Sequence, residues 1–308
     1  MEHDVSTNKR EETFMLKQRH FKYLADYNKV YEMLAESYKQ NNASGNMIPA
    51  EFEYCFCHPC MDLKSMSRSG VWEYEGRIVA CAHIEFELGE TYFEIAHGYN
   101  HMREEMLDFS EKYLYGTKED GKKFLSVKVP QSQPEFKEYV ENRGYNFTRE
   151  IGRYCLPLDT EFEVELPEGF KIISVFDGVD HAKLQIAIQL GFEHKIEDIT
   201  GDHLANSLIC GAGPHFKPKM NYVVVAPNGD YVAYGGFWYD ERTDLAYLEP
   251  LCTHPDYRYK GLSKAILNKG MNECKKLGAK YCTGGSQDFY YNLGFEKYNS
   301  YSWWYKEF

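Results

Sequence analysis

The sequence has no long apolar stretch and no excess of basic residues. Because no run of about 18 apolar residues occurs, we expect no membrane-spanning helix. Acidic residues outnumber basic residues by 47 to 35, which gives a formal net charge of −12. Nucleic-acid binding needs a basic face, so this balance argues against a nucleic-acid partner. Residues 1–17 are polar and lack an apolar signal region, which leads us to expect a cytoplasmic protein.

The nine cysteines do not form a recognisable metal-binding pattern. Cys55, Cys57 and Cys60 lie close to His58, but no second Cys/His pair follows at the spacing of a zinc site. A zinc site and ordinary core or loop thiols are both open interpretations. We favour thiols and expect no metal. The chain also lacks a Gly-x-Ser-x-Gly motif or a Cys/His arrangement typical of a covalent nucleophile.

What the chain does contain is an internal repeat of domain size. Its 308 residues suggest about two domains of roughly 150 residues each. The hairpin glycines Gly76 and Gly229 lie 153 residues apart (229 − 76). Gly144 and Gly294 lie 150 apart (294 − 144), and each ends a short helical pattern before an aromatic residue. The order of elements therefore predicts two copies of one α/β (α+β) fold.

The two predicted domains meet at an acidic connection. We assign residues 1–158 to the first domain and residues 168–308 to the second, with a linker at 159–167. Residues 161–166 alternate between acidic and apolar side chains, so part of this linker is also consistent with an edge strand.

The most informative stretch is residues 245–295, which reads strand, loop, helix, strand and short helix. Pro250 interrupts its first strand and is expected at an edge or a bulge. The helix is expected to open after Gly261, behind a loop that carries Arg258 and Lys260. A helix start offers free N–H groups and a positive dipole end, so this loop is a candidate anion site.

Two motifs in this stretch resemble a known family. Residues 258–263, Arg-Tyr-Lys-Gly-Leu-Ser, resemble the Gln/Arg-x-x-Gly-x-Gly/Ala pyrophosphate loop of the GNAT superfamily of N-acyltransferases. Residues 290–295, Tyr-Tyr-Asn-Leu-Gly-Phe, resemble its Tyr-x-x-x-Gly-Phe signature, and they follow at the expected distance. The match departs at Ser263, which replaces a smaller residue, and at Gly284, where many members carry an asparagine.

This resemblance implies the fold, the cosubstrate and the residues that hold it. The implied fold is two GNAT-like domains, each a mixed, mostly antiparallel twisted sheet flanked by helices. The implied cosubstrate is acetyl-CoA, with strand backbone pairing with its pantetheine arm and the loop holding its pyrophosphate. The cofactor-binding residues are then Leu251, Cys252, Thr253, Arg258, Tyr259, Lys260, Gly261, Leu262 and Ser263.

Tyr290 and Glu249 are the candidate catalytic residues. The family often uses the tyrosine at the position of Tyr290 as an acid, and a phenol of pKa near ~10 stays protonated at neutral pH. The alternative is that Tyr290 only packs beside the cofactor. Glu249 is a candidate base acting through a water, or a strand glutamate facing solvent. His254 is a weaker candidate, and we expect it to shape the turn before Pro255.

The first copy departs from this pattern. Glu104 and Glu105 stand near the place of Arg258 and would repel a pyrophosphate, so we expect this copy to be degenerate. The favoured function is acetyl transfer from acetyl-CoA to a primary amine of a small molecule or peptide, in a monomer or homodimer. A catalytically weak acyl-CoA-binding sensor is the alternative.

Overall fold

The structure is a computed structural model that describes residues 16–39 and 44–308. The α-helices in these ranges are α1 (Tyr23–Ser37), α2 (Pro49–Phe56), α3 (Leu63–Met66), α4 (Arg103–Tyr113), α5 (Pro134–Asn142), α6 (His181–Gly191), α7 (His203–Cys210), α8 (Leu262–Lys276) and α9 (Asp288–Asn292). The strands are β1 (Lys17–His20), β2 (Gly70–Tyr74), β3 (Arg77–His83), β4 (Glu90–Ile95), β5 (Gly116–Thr117), β6 (Lys123–Pro130), β7 (Asn146–Pro157), β8 (Lys171–Ser174), β9 (Asn221–Val225), β10 (Tyr231–Trp238), β11 (Leu245–Thr253), β12 (Tyr281–Gly284) and β13 (Glu296–Glu307). None of these helices combines the length and apolarity that crossing a bilayer requires.

Local sequence signals account for the turns and helix starts that frame the later site. The hairpin between β9 and β10 turns at Gly229, which has a φ of 89° that a glycine adopts without steric cost. Helix α6 begins after Asp180, whose side chain accepts the Lys183 N–H at 2.9 Å. Helix α7 begins in the same way after Asp202. Both caps begin helices of the second half, where α6 packs on β10 and β11 and α7 packs on α6.

The strands form one mixed, mostly antiparallel sheet of thirteen strands. Its order is β1-β2-β3-β4-β6-β13-β7-β12-β11-β10-β9-β8, with β5 paired to β6. Only two neighbouring pairs in this order run parallel, β4 with β6 and β11 with β12. Read from either end, the order follows the same sequence of elements, so the predicted repeat is confirmed as a repeat of structure.

The two halves exchange their last strands. Strand β7 ends the first half, yet it pairs with β12 of the second half. Strand β13 ends the chain, yet it pairs with β6 of the first half from Tyr301 to Glu307. The exchanged strands also pair with each other along most of their length. The sheet is therefore continuous across the junction, which the sequence did not lead us to expect.

Buried polar contacts reinforce this junction. Arg153 on β7 binds the carboxylate of Glu51 on α2 through two hydrogen bonds of 2.6 and 2.8 Å. His215 contacts Glu53 at 2.5 Å and stacks on the Tyr31 ring at 4.1 Å. Paired and hydrogen-bonded charges of this kind fix the register of two surfaces more than they add net stability. The first half therefore supplies one wall of the space between the two halves.

The expectation of an edge strand at residues 161–166 is wrong. The segment is irregular, and its backbone is bound by two side chains of α8. The Asn272 amide both accepts from the Phe162 N–H at 2.9 Å and donates to its carbonyl at 2.8 Å. Asn268 donates to the Glu163 carbonyl at 2.6 Å. Side-chain amides thus satisfy the peptide groups that a neighbouring strand would otherwise have paired. The domain boundaries themselves stay a prediction.

Candidate functional site

The candidate site begins where β11 and β12 separate. Their paired register consists of Leu245 with Tyr281 and Ala246 with Cys282. The register of β11 against β10 then shifts between Gly235 and Phe237, opposite the segment that contains Pro250. The extra residue on β11 is the bulge expected at this proline, and a bulge bends a strand away from its neighbour. A slot therefore opens beside the second half of β11.

The peptide groups along this slot have a defined orientation. His254 N–H donates to the Val232 carbonyl on the β10 side. Because strand peptides alternate in direction, the groups of Leu251 and Thr253 face the opposite edge, whereas those of Cys252 face β10. The Cys252 side chain is buried, and a methyl group placed on Gly191 would lie 2.7 Å from its sulfur. Two of the three residues predicted to pair with a pantetheine arm thus face the slot.

The loop after β11 leads directly into the N-terminus of α8. Gly261 precedes the helix with a φ of 79°, and a methyl group placed on it would meet no atom within 4 Å. The first N–H groups of a helix have no intrahelical acceptor, so they face this open space. Lys260 is exposed beside them, and the Ser263 hydroxyl lies 2.5 Å from that of Thr253. These features fit a diphosphate group.

Arg258 and His254 are engaged by the protein itself. The Arg258 guanidinium pairs with Glu193 and donates to the carbonyls of Thr253 at 3.2 Å and Gly191 at 3.1 Å. It therefore ties the loop to the end of α6. The His254 side chain accepts the Asp256 N–H at 3.3 Å, as expected for a residue that shapes the turn.

Tyr290 lies on α9 and packs beside Gly284, the position where many GNAT proteins carry an asparagine. Its ring meets the Phe295 ring edge-on at 5.2 Å between centroids. A methyl group placed on Gly284 would lie 2.5 Å from the Phe295 ring and 2.7 Å from the Tyr290 ring. An asparagine at 284 would therefore displace both aromatic rings. Burial, followed by the charge of Glu249, raises the pKa of Tyr290 above its usual value, so the phenol stays protonated at neutral pH.

Glu249 lies on the bulged segment of β11, at the wall of a large cavity. Burial, followed by the charges of Glu85 and Glu51, raises its pKa to about 7. Its own backbone carbonyl accepts the Trp238 indole N–H at 2.8 Å, which holds the bulge in place. A carboxyl group with a pKa near neutrality can accept a proton at physiological pH and release it again.

The cavity has a volume of about 1130 Å³ and lies between the two halves. The second half contributes α6, α7 and the strand residues near Glu249. The first half contributes Tyr54, residues 58–60 and Glu85 with Phe86. His58 and Cys60, considered above for a metal site, thus lie in this wall. Among the described residues, no group of three or more metal-binding side chains comes together.

Sequence reasoning expected the first half to shape an acceptor cleft, but it missed the residues that do so, Glu85 above all. Glu85 follows the end of β3, and nothing in its local pattern distinguishes it from other strand-end glutamates. A repeat alignment would have placed it next to a loop, with no reason to assign it to a site. Conversely, the irregular region after α6 does contribute, because His194 lines the cavity. His215 does not; it pairs with Glu53.

The equivalent slot in the first half is filled by the chain itself. Strands β4 and β6 separate after two paired residues, as β11 and β12 do. The Asn46 amide occupies the edge of β4, donating to the Ile95 carbonyl at 2.9 Å and accepting its N–H at 3.1 Å. A methyl group placed on Gly45 would lie 2.4 Å from Pro130 at the end of β6. The corresponding connection in the second half, residues 192–202, is mostly exposed.

Comparisons with known proteins agree with this geometry. Residues 218–297 match the family model described as an acetyltransferase (GNAT) domain. A tandem GNAT protein from the clavulanic acid biosynthesis pathway is similar at a TM-score of 0.62 with 10% identity, covering 95% of this chain and 98% of its own. A GCN5-related N-acetyltransferase from Sphaerobacter thermophilus gives a TM-score of 0.60 with 15% identity, covering 95% of each chain.

A third similar structure is an N-myristoyltransferase of Saccharomyces cerevisiae with bound myristoyl-CoA and inhibitors. Its TM-score is 0.53 with 12% identity, covering 94% of this chain and 79% of its own. At these identities the likeness concerns the fold. No curated protein matches the sequence. Residues 218–297 thus match a GNAT domain, and the chain as a whole has a tandem GNAT fold.

Proposed function

We propose that the second half binds acetyl-CoA and transfers its acetyl group to a primary amine. The GNAT domain and fold support an acyl-CoA-dependent acetyltransferase in general terms. The observation that carries the finer proposal is Glu249, whose pKa is raised to about 7 at the cavity wall. It lies on the same bulged strand whose open edge begins the slot, so a base, an acceptor cavity and a cosubstrate slot meet along one strand.

The loop at the start of α8 holds the cosubstrate in this proposal. Free N–H groups of the first helical turn bind the diphosphate, Lys260 adds positive charge and Gly261 lets the ligand approach the backbone. The peptide groups of Leu251 and the N–H of Thr253, whose carbonyl accepts from Arg258, pair with the amide groups of the pantetheine arm. Arg258 is a positioning residue. Its guanidinium binds the loop to the end of α6, so its charge is already paired and does not contact the ligand.

The chemistry then needs proton transfers at the acceptor nitrogen and the thiolate, and no covalent enzyme intermediate. The ammonium group of the acceptor loses a proton to Glu249, directly or through a water. The neutral nitrogen attacks the thioester carbonyl carbon, a C–N bond forms and the C–S bond breaks. Tyr290 donates its phenolic proton to the departing thiolate and regains a proton as the new amide nitrogen loses its second one, while Glu249 releases its proton to solvent. The raised pKa of Tyr290 keeps that proton available at neutral pH.

Release of free thiol from acetyl-CoA tests this proposal. The protein is incubated with acetyl-CoA and a panel of primary amines, and acetylated products are identified by mass spectrometry. Amine-dependent thiol release in wild type, lost in Glu249→Gln, is the expected result. Tight binding of acetyl-CoA without thiol release across the panel would contradict transfer and favour an acyl-CoA-binding sensor. Acetylation of peptides alone would correct the acceptor class.

A further inference from the structure

The cavity has a charged end and an apolar body. Glu249 and Glu85 supply carboxylates from the second and first half, respectively. Away from them, most of the wall is formed by apolar and aromatic side chains such as Leu184, Ile188 and Phe216, and the rest includes polar side chains of α6 and α7 such as Gln185 and Asn206. At about 1130 Å³ the cavity is at or above the range of roughly 300–1,000 Å³ typical of sites for small organic ligands. An acetyl group and a bare amine would leave most of it unfilled.

The described part of the cavity wall carries no permanently charged basic side chain. None of the residues found to line the cavity is a lysine or an arginine. The Glu85 carboxylate accepts hydrogen bonds from the Tyr92 hydroxyl and the Cys55 thiol, and both of these donors are uncharged. Each carboxylate oxygen can accept a further bond, so Glu85 retains capacity on the cavity side.

The interior cations near this end are committed elsewhere. Arg153 is paired with Glu51 in a bidentate contact. The Lys128 ammonium lies over the rings of Tyr92 at 5.1 Å and Tyr301 at 4.6 Å. Neither residue lines the cavity. A carboxylate that is partly removed from water is stabilised when a cation approaches it. The cavity therefore favours a positively charged ligand at this end.

We propose that the acceptor is a cationic monoamine with a bulky apolar body, and that Glu85 binds its ammonium group. The inference rests on the proposed function, since it names the acceptor of that same site. Glu85 and Glu249 hold the ammonium end, and the body lies between α6, α7 and the aromatic residues at the junction. Glu85 comes from the first half, so the half whose own slot is filled contributes a substrate-binding residue to the other half.

The same walls disfavour other amines. An aminosugar would bury several hydroxyl groups in a wall made mostly of apolar and aromatic side chains, and each one left without a hydrogen bond from a polar residue such as Gln185 or Asn206 is costly. A polyamine would place a second and third charge in the apolar body, where no further carboxylate lines the wall. A primary amine on an aromatic or branched alkyl body meets neither penalty, and a site of this kind discriminates by roughly tenfold or more for each mismatched group.

Binding of tryptamine, compared with tryptophol, tests the inference without requiring turnover. The two probes share an indole body and differ in an ammonium group against a hydroxyl. By calorimetry, we expect tryptamine to bind wild type about tenfold to a hundredfold more tightly than tryptophol, and Glu85→Gln to remove most of that difference. Glu87→Gln, which changes an exposed carboxylate two residues away, is the matched control and should behave as wild type.

Equal affinity for tryptamine and tryptophol in wild type would overturn the inference, and this comparison needs no variant. A folded Glu85→Gln that still prefers tryptamine as wild type does would also overturn the assigned role of Glu85. In an acetylation assay, tryptamine should exceed glucosamine and spermidine in kcat/KM by at least about tenfold. Preference for glucosamine would overturn the acceptor class while leaving acetyl transfer intact. Tryptamine binding with no acetylation of any amine would uphold the cavity's ligand class and reject the transfer function.

Discussion

The Asn46 side chain forms both hydrogen bonds that a neighbouring strand would offer to the Ile95 peptide groups. Its amide nitrogen donates to the Ile95 carbonyl at 2.9 Å, and its amide oxygen accepts the Ile95 N–H at 3.1 Å. Ile95 ends β4 as Thr253 ends β11, so the two residues occupy equivalent places in the two halves. The strand edge at Ile95 is occupied by the Asn46 side chain, whereas the edge at Thr253 borders the candidate cosubstrate slot.

Replacing Asn46 should therefore destabilise the first half. Asn46→Ala leaves a buried carbonyl and a buried N–H without these bonds, which costs about 2–4 kcal/mol for the two groups together. Urea unfolding measures the loss, with Asn142→Ala at an exposed position of α5 as the control. A loss below about 0.5 kcal/mol, the usual range of surface substitutions, would show that Asn46 does not hold this edge.

The open space before α8 can be tested with a matched pair of glycines. Gly261 and Gly229 have φ values of 79° and 89°, and a methyl group on either would meet no atom within 4 Å. Alanine at each should cost about 1 kcal/mol of stability from the left-handed backbone. Only Gly261→Ala should also weaken acetyl-CoA binding, by about tenfold, because its methyl group would occupy the approach of the diphosphate. Equal affinities of the two variants in calorimetry would remove the loop from the binding site.

Removing the Tyr290 hydroxyl should affect turnover and spare binding. Tyr290→Phe keeps the ring that packs against Gly284 and Phe295, so the affinity for acetyl-CoA should change little. Turnover should fall by about 10²–10⁴ if the phenol donates the proton to the thiolate. Tyr291→Phe removes a hydroxyl from the exposed neighbouring residue and is the control. Turnover of Tyr290→Phe within about threefold of wild type would transfer the acid role to another group, such as a water.

The pH dependence of kcat/KM should report Glu249. A base must be deprotonated to act, and the fraction of deprotonated Glu249 rises as the pH passes its pKa of about 7. Activity should therefore rise with pH through neutrality, whereas a glutamate of ordinary pKa would place this limb near pH ~4.3. Glu249→Gln should lose the limb along with about 10²–10⁴ in rate. An unchanged neutral limb in that variant would assign it to a different group.

The sequence predicted the elements whose signals are local. The Gly229 turn, the bulge at Pro250 and the helix after Gly261 each follow from what a single residue type permits in the backbone. Exchange of β7 and β13 is different, because the pairing partner of a strand depends on a surface far away in the chain. The alternation of residues 161–166 misled for the same reason: Asn268 and Asn272 satisfy that backbone instead of a strand.

The same distinction between local and long-range signals applies to the residues of the candidate site. Motif spacing made Tyr290 and the loop around Gly261 candidates, and Glu249 became one through its place on the strand just before the expected bulge. Nothing in the local sequence indicates a role for Asn46, since that role depends on the edge of β4, 49 residues later. Glu85 became a candidate only when folding brought the first half against β11. The motif marked Arg258 as a candidate, but it could not indicate that the guanidinium binds Glu193 and two backbone carbonyls.

Calorimetric titration of the whole chain with acetyl-CoA tests most directly whether the second half alone binds the cosubstrate. We predict one molecule per chain, because the slot beside β11 is open whereas Gly45 and Asn46 fill the slot beside β4. The start of α4 also carries Glu104 and Glu105, which disfavour an anion at that helix N-terminus. A stoichiometry near two would contradict this assignment.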